Sequence, residues 1–253
     1  MKPLAELVNN NNILVVGHRG SPAKAPENTL PSVKKALESG VDMIEVDIQF
    51  TADNKIVAHH DPELGRVFSG KGKIADMSYQ ELSRYNKGQW DGQNFDGINI
   101  PLLDEVINTI RDKAYLNIEI KDLPSADISY ISLIVEEVEK NQYLDNTLFG
   151  SFSEDIIKCL KQINPDIKTA SIFPPGSART LSDIHKNTGC EVFICSIFEL
   201  NEELAAEALH RNIFVGVYGV YDKKTLEIAL KNNVKAIATD DPDKVITLLQ
   251  NNK

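Results

Sequence analysis

Apolar and polar positions along this chain fall into two kinds of segment that take turns. Residues 13–17 (ILVVG) are a continuous apolar run of strand length, the pattern of a strand buried on both faces. Leu30, Val33 and Leu37 then recur at helical spacing, with Thr29 placed to cap that helix and Gly40 to stop it. Residues 43–50 (MIEVDIQF) alternate strictly. Residues 55–60 (KIVAHH) follow the turn signal TADN, so 43–60 reads as a hairpin-like extension. Residues 114–120 (AYLNIEI) make the next strand, and Ile128, Ile131, Val135 and Val138 the next helical stripe. The rhythm repeats: TLFGSF with Ser153 capping a helix through Ile163, IKTASIF with a helix around 177–187, CEVFICS with one over 201–210. IFVGVYGV with a helix over 223–231 and VKAIAT with a closing helix over 241–251 complete it. That is about eight strand–helix units in 253 residues, with no Gly/Ser linker and no charge block. Length and alternation predict a single α/β domain over 1–253, a TIM (β/α)8 barrel in preference to a doubly wound sheet, which periodicity alone does not exclude.

Residues 61–100 break the rhythm and are too long for an ordinary βα loop. Phe68, Tyr79, Tyr85, Trp90 and Phe95 lie there, with Gly70, Gly72, Gly88, Gly92 and Gly97 between them. An insertion after the second strand sits on the loop side of a barrel, the face that carries active sites. Its rings are expected either to form a small satellite core or, for one or two such as Trp90, to line the mouth of a pocket.

Composition narrows the functional classes. Hydrophobic residues are 42% and charged residues 25%, enough for a packed core. The formal net charge of −10 argues against a general nucleic-acid binder and against attraction to anionic membranes. Cys159, Cys190 and Cys195 have no zinc-like spacing, and the latter two lie in an apolar run as small core residues. The stretch MKPLAELVNNNN lacks a signal peptide's apolar segment, and no run is long enough to cross a membrane. A cytoplasmic setting is the expectation, and nothing in the sequence specifies an oligomer.

The chemistry-bearing residues cluster at strand ends. In IEVDI, Glu45 and Asp47 share one face of a strand while Ile44, Val46 and Ile48 take the other. In NIEIK, Glu119 and Lys121 share a face in the same way. Ionised carboxylates inside a barrel need partners. Either Lys121 or another cation pairs with them, or Glu45, Asp47 and Glu119 hold a divalent metal, Mg²⁺ or Ca²⁺ being suited to all-oxygen ligands. His18 ends the first strand. His59 and His60 end the hairpin arm pointing to opposite faces, so one of them can face the carboxylates. His185 and His210 fall on helices and are expected in solvent. Arg19 offers a planar fork suited to phosphate, or an ion pair with Glu27.

His18-Arg19-Gly20, Pro26-Glu27-Asn28-Thr29-Leu30, Glu45-x-Asp47, His60-Asp61-Pro62, Ile100-Pro101-Leu102, Glu119-Ile120-Lys121 and the late TDDP of 239–242 occur in this order. Singly these motifs are weak; as an ordered set over about 13–250 the chain resembles the glycerophosphodiester phosphodiesterase family. The resemblance implies a TIM barrel, a divalent metal on Glu45, Asp47 and Glu119, and acid–base roles for His18 and His60, the histidine before Asp-Pro. A small-molecule glycerophosphodiester is then the expected substrate, hydrolysed to glycerol 3-phosphate and an alcohol, and the donor chemistry of Arg19 and Lys121 suits them to its phosphate oxygens. A phospholipase-type lyase releasing a cyclic phosphate, an inactive binding barrel and an enolising metal enzyme are the alternatives. One departure stands out: where family members often carry Trp in the seventh strand, this chain has Tyr218, which keeps an aromatic pocket wall and adds a hydroxyl.

Overall fold

The structure is a computed structural model that describes residues 4, 13–86, 89–91, 93–121, 128–177 and 179–252. Apart from Leu4, the N-terminal stretch read for a signal peptide lies outside them, as do Gly88 and Gly92 of the insertion. β1 (Leu14–Gly17) leads into α1 (Leu30–Ser39), where the Thr29 hydroxyl accepts from the Ser32 amide and Gly40 ends the helix at φ 85°. β2 (Met43–Phe50) folds back as β3 (Ile56–Ala58), antiparallel with Ile48 opposite Ala58. The insertion follows, with the short helix α2 (Tyr79–Leu82) and a ribbon of β4 (Gln89–Trp90) and β5 (Gln93–Asn94). α3 (Leu103–Ile110) then completes the second unit.

Regular βα units make up the rest. They are β6 (Tyr115–Ile120) with α4 (Ile128–Lys140), β7 (Thr147–Ser151) with α5 (Glu154–Ile163), and β8 (Lys168–Ile172) with α6 (Leu181–Thr188). After them come β9 (Val192–Ser196) with α7 (Glu202–His210), β10 (Phe214–Tyr218) with α8 (Lys223–Lys231), and β11 (Ala236–Thr239) with α9 (Pro242–Gln250). The strands run β1-β11-β10-β9-β8-β7-β6-β2, all parallel, and β1 pairs with β2 through Val16 opposite Met43. That last pairing closes an eight-stranded parallel barrel and disposes of the open, doubly wound alternative.

Two local expectations are corrected. The sixth helix begins at Leu181, not near 177, because Pro174 and Pro175 hold a turn and the Thr180 hydroxyl supplies the cap, accepting from the Asp183 amide. Ser153 occupies the cap position of α5, but its side chain makes no capping bond.

Packing follows the strand alternation. Ile44, Val46, Ile48, Leu116, Ile118 and Ile120 face outward into one continuous core shared with the helices. The other face of the same strands fills the barrel floor, where Val16, Met43, Tyr115, Leu148 and Ala170 are buried together with Leu4. The insertion carries its own satellite core of Val57, Leu64, Val67, Phe68, Ile74, Leu82 and Ile100. Tyr79, Tyr85 and Trp90 pack against that core, and the Trp90 indole donates to the Pro22 carbonyl at 3.0 Å.

Candidate active site

Above the apolar floor, inward positions turn polar. The β2–β6 register sets Glu45 opposite Asn117 and Asp47 opposite Glu119, so strand pairing alone brings three carboxylates to one end of the barrel. Glu45, Asp47 and Glu119 are buried, and one oxygen of each lies within 4.8 Å of the others. A cavity of about 310 Å³ opens over them, lined by His18, Arg19, His60 and Lys121 among polar residues. Its opposite wall is apolar: Phe152, Ile172, Ile194, Tyr218 and Tyr221. A larger groove of about 470 Å³ between α7 and α8 lies away from these groups and is lined by Ala205, Leu209 and Phe214.

The cations meet the acids only in part. Lys121 Nζ contacts Glu119 and lies 2.6 Å from Asp47 Oδ1, so the ion pair expected from the spacing is present. Arg19 Nε is 3.0 Å from Asp47 Oδ2, and its Nη1 donates to Glu27 at 2.9 Å. The Arg19 backbone, at φ 55°, turns its N–H onto Glu45 Oε2 at 2.7 Å. This tight turn depends on Gly20: at φ 86° its missing side chain would sit 2.5 Å from the Ser32 hydroxyl and 2.6 Å from its carbonyl carbon. Glu45 Oε1 nevertheless has no hydrogen-bond partner, although it is buried. Burial, then the neighbouring Asp47 charge, pushes the Glu45 carboxyl up from the usual carboxylate range. Asp47 is driven the other way: burial opposes ionisation, but Lys121 and Arg19 outweigh it. An unpartnered buried oxygen among three hard oxygen donors is the chemistry of a divalent-cation site, and the residues fit one.

Both strand-end histidines are oriented by a carboxylate. His18 Nδ1 is 2.6 Å from Asp240 Oδ1, and its Nε2 faces Glu45 Oε2 at 4.0 Å. Burial works against the charged imidazole, but Glu45 and the Asp240 hydrogen bond outweigh it and raise its pKa to about 9. His60 Nδ1 is 2.7 Å from Asp61 Oδ1. His59 points away from the cavity: it is buried against Phe68, with Nδ1 2.8 Å from the Asp61 carbonyl. The opposite-face expectation for the two histidines therefore holds. His185 departs from expectation, being half-buried with its ring held on the Cys190 carbonyl, whereas His210 is exposed. Cys190 and Cys195 are buried core residues, as read from their run.

Tyr218 lines the cavity; Trp90 does not, its ring resting on the satellite core. Sequence reasoning gave no role to Asp61, Asp240 or Asn28. The Asn28 amide donates to Asp47 Oδ2 at 2.8 Å and its carbonyl accepts from the Asp47 amide, fixing that carboxylate. The available signal was position: each lies within one of the short motifs on which the family resemblance rests.

A model of the glycerophosphoryl diester phosphodiesterase family matches residues 18–244, a span that starts at His18. The chain belongs to this family. It is thus an enzyme, a phosphodiesterase acting on glycerophosphodiesters. The glycerophosphodiester phosphodiesterase of Caldanaerobacter subterraneus is 30% identical over 94% of this chain and 98% of its own. One from Bacillus altitudinis is 27% identical over 94% and 99%. Among solved structures, a phosphodiesterase of Oleispira antarctica, in complex with the product sn-glycerol 3-phosphate, superposes with a TM-score of 0.87. Identity there is 25%, over 94% of this chain and 96% of that one. A Silicibacter pomeroyi protein superposes at 0.88 with 22% identity over 97% and 96% of the two chains, a likeness of fold. No helix among the described residues is long and apolar enough to cross a membrane.

Proposed function

We propose that this phosphodiesterase is metal-dependent and hydrolyses glycerophosphodiesters to glycerol 3-phosphate and an alcohol by histidine acid–base catalysis, as a single barrel domain. The observation that carries the proposal is the meeting of three buried carboxylates, one with an unpartnered oxygen, beneath two carboxylate-oriented histidines in one cavity. The product bound by the Oleispira relative supports the choice of substrate class.

Glu45, Asp47 and Glu119 would hold Mg²⁺ or Ca²⁺, which supplies positive charge beside the phosphate as negative charge builds. Arg19 and Lys121 line the same cavity and bind phosphate oxygens. Lys121 is paired with Asp47 and Glu119 by charge and lines the cavity, so its ammonium can also donate to the substrate phosphate. Asp240 and Asp61 occupy the Nδ1 atoms of His18 and His60, so Nε2 is the atom at which each exchanges a proton. A water oxygen attacks phosphorus while one imidazole takes its proton. The bond to the alcohol oxygen breaks, and the other imidazole protonates that oxygen as it leaves. The apolar wall of Phe152, Ile172, Tyr218 and Tyr221 receives the carbon part of the diester.

Phosphorus NMR of the reaction with sn-glycero-3-phosphocholine in the presence of Mg²⁺ or Ca²⁺ tests this reading. Glycerol 3-phosphate as the first phosphorus product is expected. A cyclic phosphate as the sole product would replace hydrolysis with the lyase reaction.

A further inference from the structure

The insertion sends the charged side chain of Arg66 back to the barrel. Arg66 stands in a tight loop between residues that cannot move freely: Leu64, Val67 and Phe68 on either side are buried in the satellite core. Backbone bonds close the loop, from the Leu64 amide to the Gly72 carbonyl and from the Gly65 amide to the Phe68 carbonyl. Gly70 lets the Tyr85 ring approach so closely that a side chain at 70 would sit 2.7 Å from it. A long, flexible side chain is in this way carried on a fixed backbone.

The Arg66 guanidinium spans two carboxylates. Nη1 and Nη2 form a fork onto Glu27 at 2.9 and 2.6 Å, and Nε donates to Asp61 Oδ2 at 2.6 Å. Each carboxylate has a second partner in the cavity. Asp61 Oδ1 takes His60 Nδ1 at 2.7 Å, and Glu27 Oε1 takes Arg19 Nη1 at 2.9 Å. Asp61 is also held through its carbonyl by His59. Burial opposes ionisation of both acids, but Arg66 outweighs it together with His60 at Asp61 and Arg19 at Glu27, bringing Asp61 to about 2 and lowering Glu27. Glu27 and Asp61 therefore stay anionic, and Arg66 supplies the charge that offsets Glu27. Without it, Glu27 would be neutralised by Arg19 alone, whose positive charge the phosphate needs.

We propose that Arg66 is a positioning residue of the active site: through Asp61 it sets the His60 imidazole, and through Glu27 it sets the Arg19 guanidinium. The insertion then serves the reaction through one guanidinium, whatever its aromatic rings do. The inference rests on the reading of His60 and Arg19 as groups that act on substrate, and its test includes a readout independent of turnover.

The test uses Arg66→Ala and Arg66→Lys in the metal-loaded enzyme. Loss of an orienting partner typically costs about 10- to 100-fold in activity. We expect kcat to fall by that factor in both variants, because an ammonium cannot span two carboxylates as the planar fork does. Guanidinium ion at non-denaturing concentration is expected to restore part of kcat in Arg66→Ala and none in Arg66→Lys, where the side chain fills the space. Long-range ¹⁵N–¹H NMR of the histidine rings, without substrate, should show His60 protonated at Nδ1 in the native enzyme and a changed tautomer balance in Arg66→Ala. A kcat within twofold of native, or a loss accompanied by a native His60 spectrum and no guanidinium rescue, overturns the proposal. Should Arg66→Ala fail to fold, Arg66→Lys carries the same spectrum and kinetics. If His60→Ala proves fully active, the catalytic reading fails, while a shifted His60 spectrum in the Arg66 variants still reports the clamp.

Discussion

At the scale of single residues, the site is a set of charges held in conflict. Three carboxylates share one end of the barrel with two cations, and burial strengthens every repulsion among them. Removing one acid should relieve the metal-free protein while damaging it as a metal site. Glu45→Gln is expected to weaken Mg²⁺ or Ca²⁺ binding by more than about 100-fold, beyond the range that disturbing a ligand's support alone tends to cost. Its metal-free melting temperature should equal or exceed that of the native protein. Calorimetric titration with scanning fluorimetry checks both, and undiminished affinity would remove Glu45 from the site. The histidines divide in the same manner. His18→Ala and His60→Ala are each expected to lose ~10²–10⁴-fold in rate, the usual value of a general acid or base. His59→Ala should keep kcat near native and lose stability, since its ring is buried against Phe68 and holds the Asp61 carbonyl. A His59 variant as inactive as the His60 variant would show that the two faces of the arm are reversed. Spacing placed Glu45, Asp47, Glu119 and Lys121 together because alternation along a strand is a local property. The bonds of Asp61, Asp240 and Asn28 were not legible, since His18 and Asp240 come from opposite ends of the chain and meet only when β1 pairs with β11.

At the scale of elements, the insertion is the part that local patterns described least. Its glycines and aromatic rings announced a departure from the βα rhythm, but not which rings faced the substrate. The structure puts Phe68 wholly inside the satellite core and packs Tyr85 and Trp90 against it, while Tyr218 at the end of β10, with Phe152 and Tyr221 from the loops after β7 and β10, lines the cavity. Phe68→Ala should cost ~3–5 kcal/mol, as large-to-small changes of buried aromatics do. Trp90→Ala should leave the ratios of kcat/KM among choline, ethanolamine and inositol diesters unchanged. Phe152→Ala and Tyr218→Ala should alter those ratios, because their rings form the apolar wall. A kinetic panel over the three diesters decides between the two sets of rings; shifted ratios in Trp90→Ala would return the insertion to the pocket. The start of α6 at Leu181 departs from the pattern's expectation for a related reason. The turn held by Pro174 and Pro175 takes in Ser177, whose amide donates to the Pro174 carbonyl, and the cap is supplied by Thr180.

At the scale of the whole molecule, strand–helix alternation foretold the number of units, and closure was settled by a single non-local pairing, Val16 with Met43. Closure matters chemically: it brings His18 from β1 beside Glu45 of β2 and Asp240 after β11, so the first and last strands complete one site. The barrel thereby concentrates three acids whose buried charge calls for a cation, and dependence on that cation is the property from which the proposed chemistry stands or falls. Steady-state hydrolysis of sn-glycero-3-phosphocholine should be measured on enzyme stripped with chelator, then after addition of Mg²⁺ or Ca²⁺. Turnover is expected to vanish in the stripped enzyme, with its fold intact, and to return with one of these ions. Full turnover by metal-free enzyme would contradict a cation on Glu45, Asp47 and Glu119.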